Sequence, residues 1–126
     1  MIARDIGNPE FMSELVQSWL AYQRTDDKEL FWAFDLIWES AADNPNATFE
    51  FVLAVLRTRP EPKILAVLAA GPLEDVLAKN GPAIIARVEE ESRHSPEFRN
   101  LLGGVWKNTM SDDVWQRVLK AAPNRW

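Results

Sequence analysis

The chain has 126 residues, 47% of them apolar and 26% charged, with a net charge of −5. That is enough for one domain that buries roughly two-thirds of its unfolded surface without staples. No cysteine and a single histidine, His94, exclude disulfides, thiolate metal sites and Cys nucleophiles, and leave too few ligands for most zinc or Ser-His-Asp chemistry, so no cofactor is expected.

Proline after a capping residue punctuates the chain. Asn8-Pro9, Asn44-Pro45 and Ser95-Pro96 each place an N-cap side chain before a proline at the first helical position, where the fixed φ and missing N–H cost nothing. Gly71-Pro72 and Gly81-Pro82 predict the end of one helix and the start of the next. Ser111, followed by Asp112 and Asp113, starts a last one. The pattern predicts eight helices, at about 9–24, 27–43, 45–58, 62–70, 72–79, 82–93, 96–103 and 112–121, with no strand alternation anywhere. Met12 is a possible alternative start, with residues 1–11 as a short N-terminal extension to a single domain spanning 1–126.

In the first helix Phe11, Leu15, Val16, Trp19, Leu20 and Tyr22 fill one half of the wheel, as on a one-sided outer helix. In the second, Leu30, Phe34, Ile37, Trp38 and Ala41 form the expected core stripe. Trp32 projects elsewhere, among Asp35, Glu39 and Asp43. It is either packed with Leu36 against the first helix or an aromatic anchor in an acidic rim suited to a cationic partner. In the third, Phe49, Val52, Leu53 and Leu56 form a stripe that Phe51 and Val55 widen. The apolar run from Ile64 to Ala70 predicts a central helix buried all round. Short connections make neighbouring helices antiparallel. The expected architecture is therefore all-α, with helical hairpins stacked in two layers in a HEAT-like style, although no fixed sequence period is present.

Charge separates the two halves of the chain. Residues 1–56 carry three basic residues against ten acidic ones, a net −7, and residues 57–126 carry eleven against nine, a net +2. The acidic front repels phosphate backbones, so nucleic acid is a minority reading, one that needs Arg57, Arg59, Lys63, Arg87, Arg93, Arg99 and Lys107 on a single surface. No apolar run approaches a membrane span and no secretion signal opens the chain, so a cytoplasmic protein without a membrane partner is expected.

Motifs for chemistry are sparse. Glu91 and His94 have the Glu-x-x-His spacing of di-iron bundles, but one histidine cannot complete that site. Glu90, one turn before His94, reads more simply as its partner. There is no nucleophile elbow and no phosphate-binding glycine loop. Glu74 and Asp75, adjacent on a helix, point about 100° apart and do not face each other across a bond. With Trp106 and the Gly103-Gly104 turn they remain a candidate small-ligand or enzymatic pocket. The leading reading is a non-enzymatic module, an adaptor or immunity-type inhibitor, that binds another protein, a basic one, through Trp32, Asp35, Glu39 and Asp43. Oligomeric state is not fixed by the sequence.

Several blocks resemble a known family: Leu30-Phe31-Trp32-Ala33-Phe34-Asp35, Ala70-Gly71-Pro72-Leu73-Glu74-Asp75-Val76-Leu77 with Gly81, Phe98-Arg99, residues 101–106, Val114-Trp115 and Arg125-Trp126. They resemble small bacterial helical proteins known only as a domain of unknown function. The resemblance covers about residues 15–126. It implies a bacterial context and an all-helical fold, and brings no site residue.

Overall fold

A computed structural model describes residues 5–126, in which every regular element is helical and there are no strands. Residues 1–4 of the expected extension lie outside them. In chain order the elements are α1 (Pro9–Thr25), a 3₁₀ turn (Lys28–Leu30), α2 (Phe31–Asp43), α3 (Pro45–Arg57), α4 (Pro62–Leu68), a π-helical turn (Ala69–Leu73), α5 (Glu74–His94), α6 (Pro96–Leu102) and α7 (Asp112–Ala121).

The capping logic holds at every Asn-Pro and Ser-Pro. Asn8, Asn44 and Ser95 side chains accept from the backbone N–H of Glu10, Ala47 and Phe98, and Ser111 accepts from Val114. The Gly-Pro pairs behave differently, and eight separate helices become six continuous stretches among the described residues. At Pro72 the π turn widens the helix by one residue per hydrogen-bonded ring, which lets the proline pass without ending the run. Before Pro82 the expected break is present in the backbone, as a kink between two helical runs. Asn80 takes a non-helical conformation (φ −142°, ψ 35°) and helical geometry resumes beyond it.

The core also departs from expectation around α4. Ile64, Leu68 and Ala69 are buried, but Leu65 and Val67 are only partly covered and Ala66 and Ala70 face solvent. An all-apolar wheel built largely of alanine is tolerated at a surface, because alanine exposes little area. The centre is α5, which packs against α2, α3, α6 and α7. Beside it α3 buries Phe49, Phe51, Val52, Leu53 and Val55. Trp19 meets Phe51 edge-on at 5.6 Å and Phe49 meets Phe98 at 5.6 Å, which joins α1, α3 and α6 through aromatic contacts. Ile6 and Phe11 belong to the same core. A chain begun at Met12 would therefore lose two buried side chains and the Asn8 cap, more than the sequence alone suggests.

Two glycines of the Gly-Pro pairs have opposite surroundings. A Cβ on Gly81 would lie 2.9 Å from a Val114 methyl of α7, whereas nothing lies within 4 Å of one on Gly71. Gly81→Ala is expected to destabilise the fold by about 1–3 kcal/mol, since β-branched Val114 cannot swing aside. Gly71→Ala is expected to stabilise it by about 0.5–1 kcal/mol by restricting the unfolded chain. Urea unfolding of the two variants checks both signs.

Candidate functional site

The second helix is turned on its axis relative to its apolar pattern. Ala33, Ile37, Ser40 and Ala41 point inward, and the Ser40 and Thr48 hydroxyls meet at 2.8 Å between α2 and α3. One hydroxyl donates to the other while the second donates to a carbonyl within its reach, of Ile37 for Ser40 or of Asn44 for Thr48, so neither is left unsatisfied in the core. Phe34 and Trp38, expected inside, are instead 39% and 51% exposed, and Phe31 is 45% exposed. Trp32 is half-buried with Leu36, its ring 6.0 Å from that of Phe11 in α1.

The result is an aromatic surface. Phe31 and Phe34 lie 5.5 Å apart, and Tyr22 of α1 stands 5.8 Å from the first and 6.0 Å from the second. Along α2, Phe31, Asp35, Trp38 and Ala42 share one exposed stripe at i, i+4, i+7 and i+11, and Glu39 and Asp43 are exposed beside it. Asp26, Asp27 and Glu29, in the turn before α2, are exposed as well.

A cation from the chain itself lies on this surface. The Lys79 ammonium of α5 is 3.9 Å from the centre of the Trp38 ring and donates to the Trp38 carbonyl at 3.3 Å. One turn earlier on α5 stands Asp75. Burial pushes its carboxyl up from the ordinary 3.8, while the Lys79 charge opposes that shift and Glu74 adds to it.

The other expected pocket is divided. Glu74 does reach the Trp106 segment, but both its oxygens accept hydrogen bonds, from the Trp106 backbone N–H at 2.8 Å and from Asn108 Nδ2 at 3.0 Å. Its role is to hold the loop after α6. Trp106 itself is 72% exposed. Behind it a cleft of about 240 Å³ is lined by Gly103, Gly104, Trp106, Trp115, Arg125 and Trp126, and by neither Glu74 nor Asp75. The Trp126 indole donates to the Asn100 carbonyl at 2.7 Å, and its ring covers Gly104 so closely that any Cβ there would strike it. Arg125 donates to the carbonyls of Leu102, Ala122 and Val105. Paired glycines followed by a distant tryptophan were the only sequence signal for this closure.

The seven basic residues of the nucleic-acid reading are partly neutralised. Arg87 pairs with Glu50, Arg93 with Glu90 and Lys107 with Asp112, and Arg57 and Arg59 border a cleft that also holds Glu91 and Glu97. His94 Nε2 is 2.7 Å from Glu90 Oε1, the expected i,i+4 pair on an exposed helix end.

Trp32→Ala is expected to cost about 2–4 kcal/mol of stability through the cavity left beside Phe11, while Trp38→Ala stays within about 1 kcal/mol; chemical denaturation separates them. Asp75 generates a pH prediction. A carboxyl raised in the folded state opposes folding above that raised pKa, and the penalty vanishes once both states are protonated below the ordinary value. Asp75→Asn should therefore raise the melting temperature at pH 7, and its advantage should disappear below about pH 4. Paired melting curves across that range test the sign.

No curated protein and no solved structure matches the chain. No helix among the described residues is long and apolar enough to cross a membrane. A family model does match, over residues 21–125, which takes in the Leu-Phe-Trp-Ala-Phe-Asp and Gly-Pro-Leu-Glu-Asp blocks and leaves out most of α1. The chain belongs to the family of unknown function DUF6869.

Proposed function

We propose that this single helical domain is a non-enzymatic interaction module whose docking surface is the aromatic face of α2, and whose partner is a protein presenting lysine or arginine among apolar side chains. The observation that carries the reading is the placement of Lys79 on Trp38. The chain already seats an alkylammonium on this face, so a partner's cation meets a surface of the right chemistry. Phe31, Phe34 and Tyr22 supply apolar area beside it, and Asp35, Glu39 and Asp43, with Trp32 behind them as a packed support, supply the acidic rim. Exposed aromatic clusters ringed by charge are unusual on a protein surface without a partner. The net −7 of residues 1–56 favours fast association with a basic protein. In this reading α1, α2 and α3 form a short HEAT-like stack with its outer surface used for docking, in a cytoplasmic bacterial adaptor or immunity-type inhibitor.

A second reading, a small-ligand site, is favoured by the tryptophan-lined cleft behind Trp106, which has the aromatic lining of many ligand pockets. The two are separated by photocrosslinking from position 35 in a lysate of the native host. The expected result is an adduct with a basic protein that weakens with added salt and is reduced at least tenfold by combining Phe34→Ala with Trp38→Ala, both at exposed positions. An adduct untouched by that pair, or none at low salt, overturns the docking reading.

A further inference from the structure

The second unexplained feature lies away from the aromatic face, where α5, α6 and α7 enclose a cleft of about 440 Å³. Its lining includes Ser92 and Arg93 of α5, Arg99 of α6, and Arg117 and Lys120 of α7, with Glu89 as the one carboxylate. Four cations from three helices thus converge on one concavity in a chain whose net charge is −5.

Their pairing is incomplete. Arg117 is bound by Glu89 through two hydrogen bonds, of 3.0 and 2.5 Å, and Arg93 by Glu90 at 2.6 Å. Arg99 uses only its Nε, donating to the Ser92 carbonyl at 3.0 Å. That contact orients the guanidinium and leaves its terminal nitrogens without an acceptor among the described residues, and Lys120 has no carboxylate within ion-pair distance among them. A positioned guanidinium beside an ammonium is the donor set that recognises phosphoryl oxygens, the fork by paired N–H groups and the lysine as a point charge. The Glu89 carboxyl registers the field from inside: Arg117 holds it below the ordinary range through the hydrogen bond, and the Arg93 and Lys120 charges add to this.

We infer that the cleft between α5, α6 and α7 binds a small phosphorylated molecule, with Arg99 and Lys120 as its direct ligands and Arg117, fixed by Glu89, as a positioned neighbour. The cleft lies within the size range of small-ligand pockets. A polynucleotide fits less well, because Arg87 and Lys107, two of the cations a nucleic-acid surface would need, do not line the cleft and are paired with Glu50 and Asp112.

The test uses the full chain and inorganic pyrophosphate, with sodium chloride at matched ionic strength as reference and a mixed-sequence single-stranded oligonucleotide as the third arm. The expected result is a saturable rise in melting temperature with pyrophosphate alone. Lys120→Glu, at an exposed position with no hydrogen bond or ion pair among the described residues, should weaken binding at least tenfold by calorimetric titration. Arg99→Lys, which keeps the charge but not the fork, should weaken it by a smaller factor. The proposal is overturned if pyrophosphate gives no rise beyond the salt reference, if Lys120→Glu binds as the parent does, or if the oligonucleotide binds more tightly than pyrophosphate.

Discussion

Two carbonyls at the end of α2 govern how the molecule is put together. A helix leaves its last carbonyls without intrahelical donors, and here α5 supplies them. Asn80 Nδ2 donates to the oxygens of Ala41 and Ala42, both at 2.8 Å, and one turn further back Lys79 adds a bond to the Trp38 oxygen, which lies inside the helical ladder. Asn80 can do this only because the chain leaves helical geometry at that residue, ahead of a proline whose ring would clash with the preceding turn of a straight helix. The bend therefore creates the cap, and the cap fixes how far α2 is rotated. With that rotation set, Ser40 finds Thr48, Trp32 finds Phe11, and Phe34 and Trp38 have nowhere to go but outward.

Local chemistry was legible wherever it was complete within a few residues. Asn8-Pro9, Asn44-Pro45, Ser95-Pro96 and Ser111-Asp112 each specify a helix start without help from the rest of the chain, and each is found there. The Gly-Pro pairs have the same local signature as a stop followed by a start. Whether proline breaks, bends or passes through a helix depends on what packs beside it, and the sequence pattern does not contain that. Trp38 was misplaced for a related reason. An apolar stripe gives the energetically preferred rotation of an isolated helix, and two capping bonds from another helix together with a buried hydroxyl pair outweigh the exposure of two aromatic rings. The rim acids Asp35, Glu39 and Asp43 could be placed on the surface from the sequence, but the rings they surround could not.

The charged groups divide into those that hold the fold and those left over. Glu61 ties the start of α4 to Arg24 of α1 through two hydrogen bonds that hold its carboxyl down at about 2. Glu74 holds the loop after α6, and Glu89 joins α5 to α7 through Arg117. Exposed pairs of this kind contribute little to stability one by one, but each selects a single arrangement of neighbouring elements. Among the groups in no ion pair are the acids around α2, and Arg99 and Lys120 in the cleft among α5, α6 and α7.

The dependence of α2 on α5 also orders events in folding. The bond from Asn80 to Ala41 closes a loop of 39 residues, whereas α1, α2 and α3 are joined by connections of a few residues and find one another at low entropic cost. Without α5 the Ala41 and Ala42 carbonyls lack their side-chain donor, and the apolar stripe of α2 by itself favours turning Phe34 and Trp38 toward α1 and α3. The early and late arrangements differ by a rotation of one helix about its axis, without any change in which helices are neighbours. The aromatic face therefore depends on the docking of α5, and is expected to be complete only in the finished molecule.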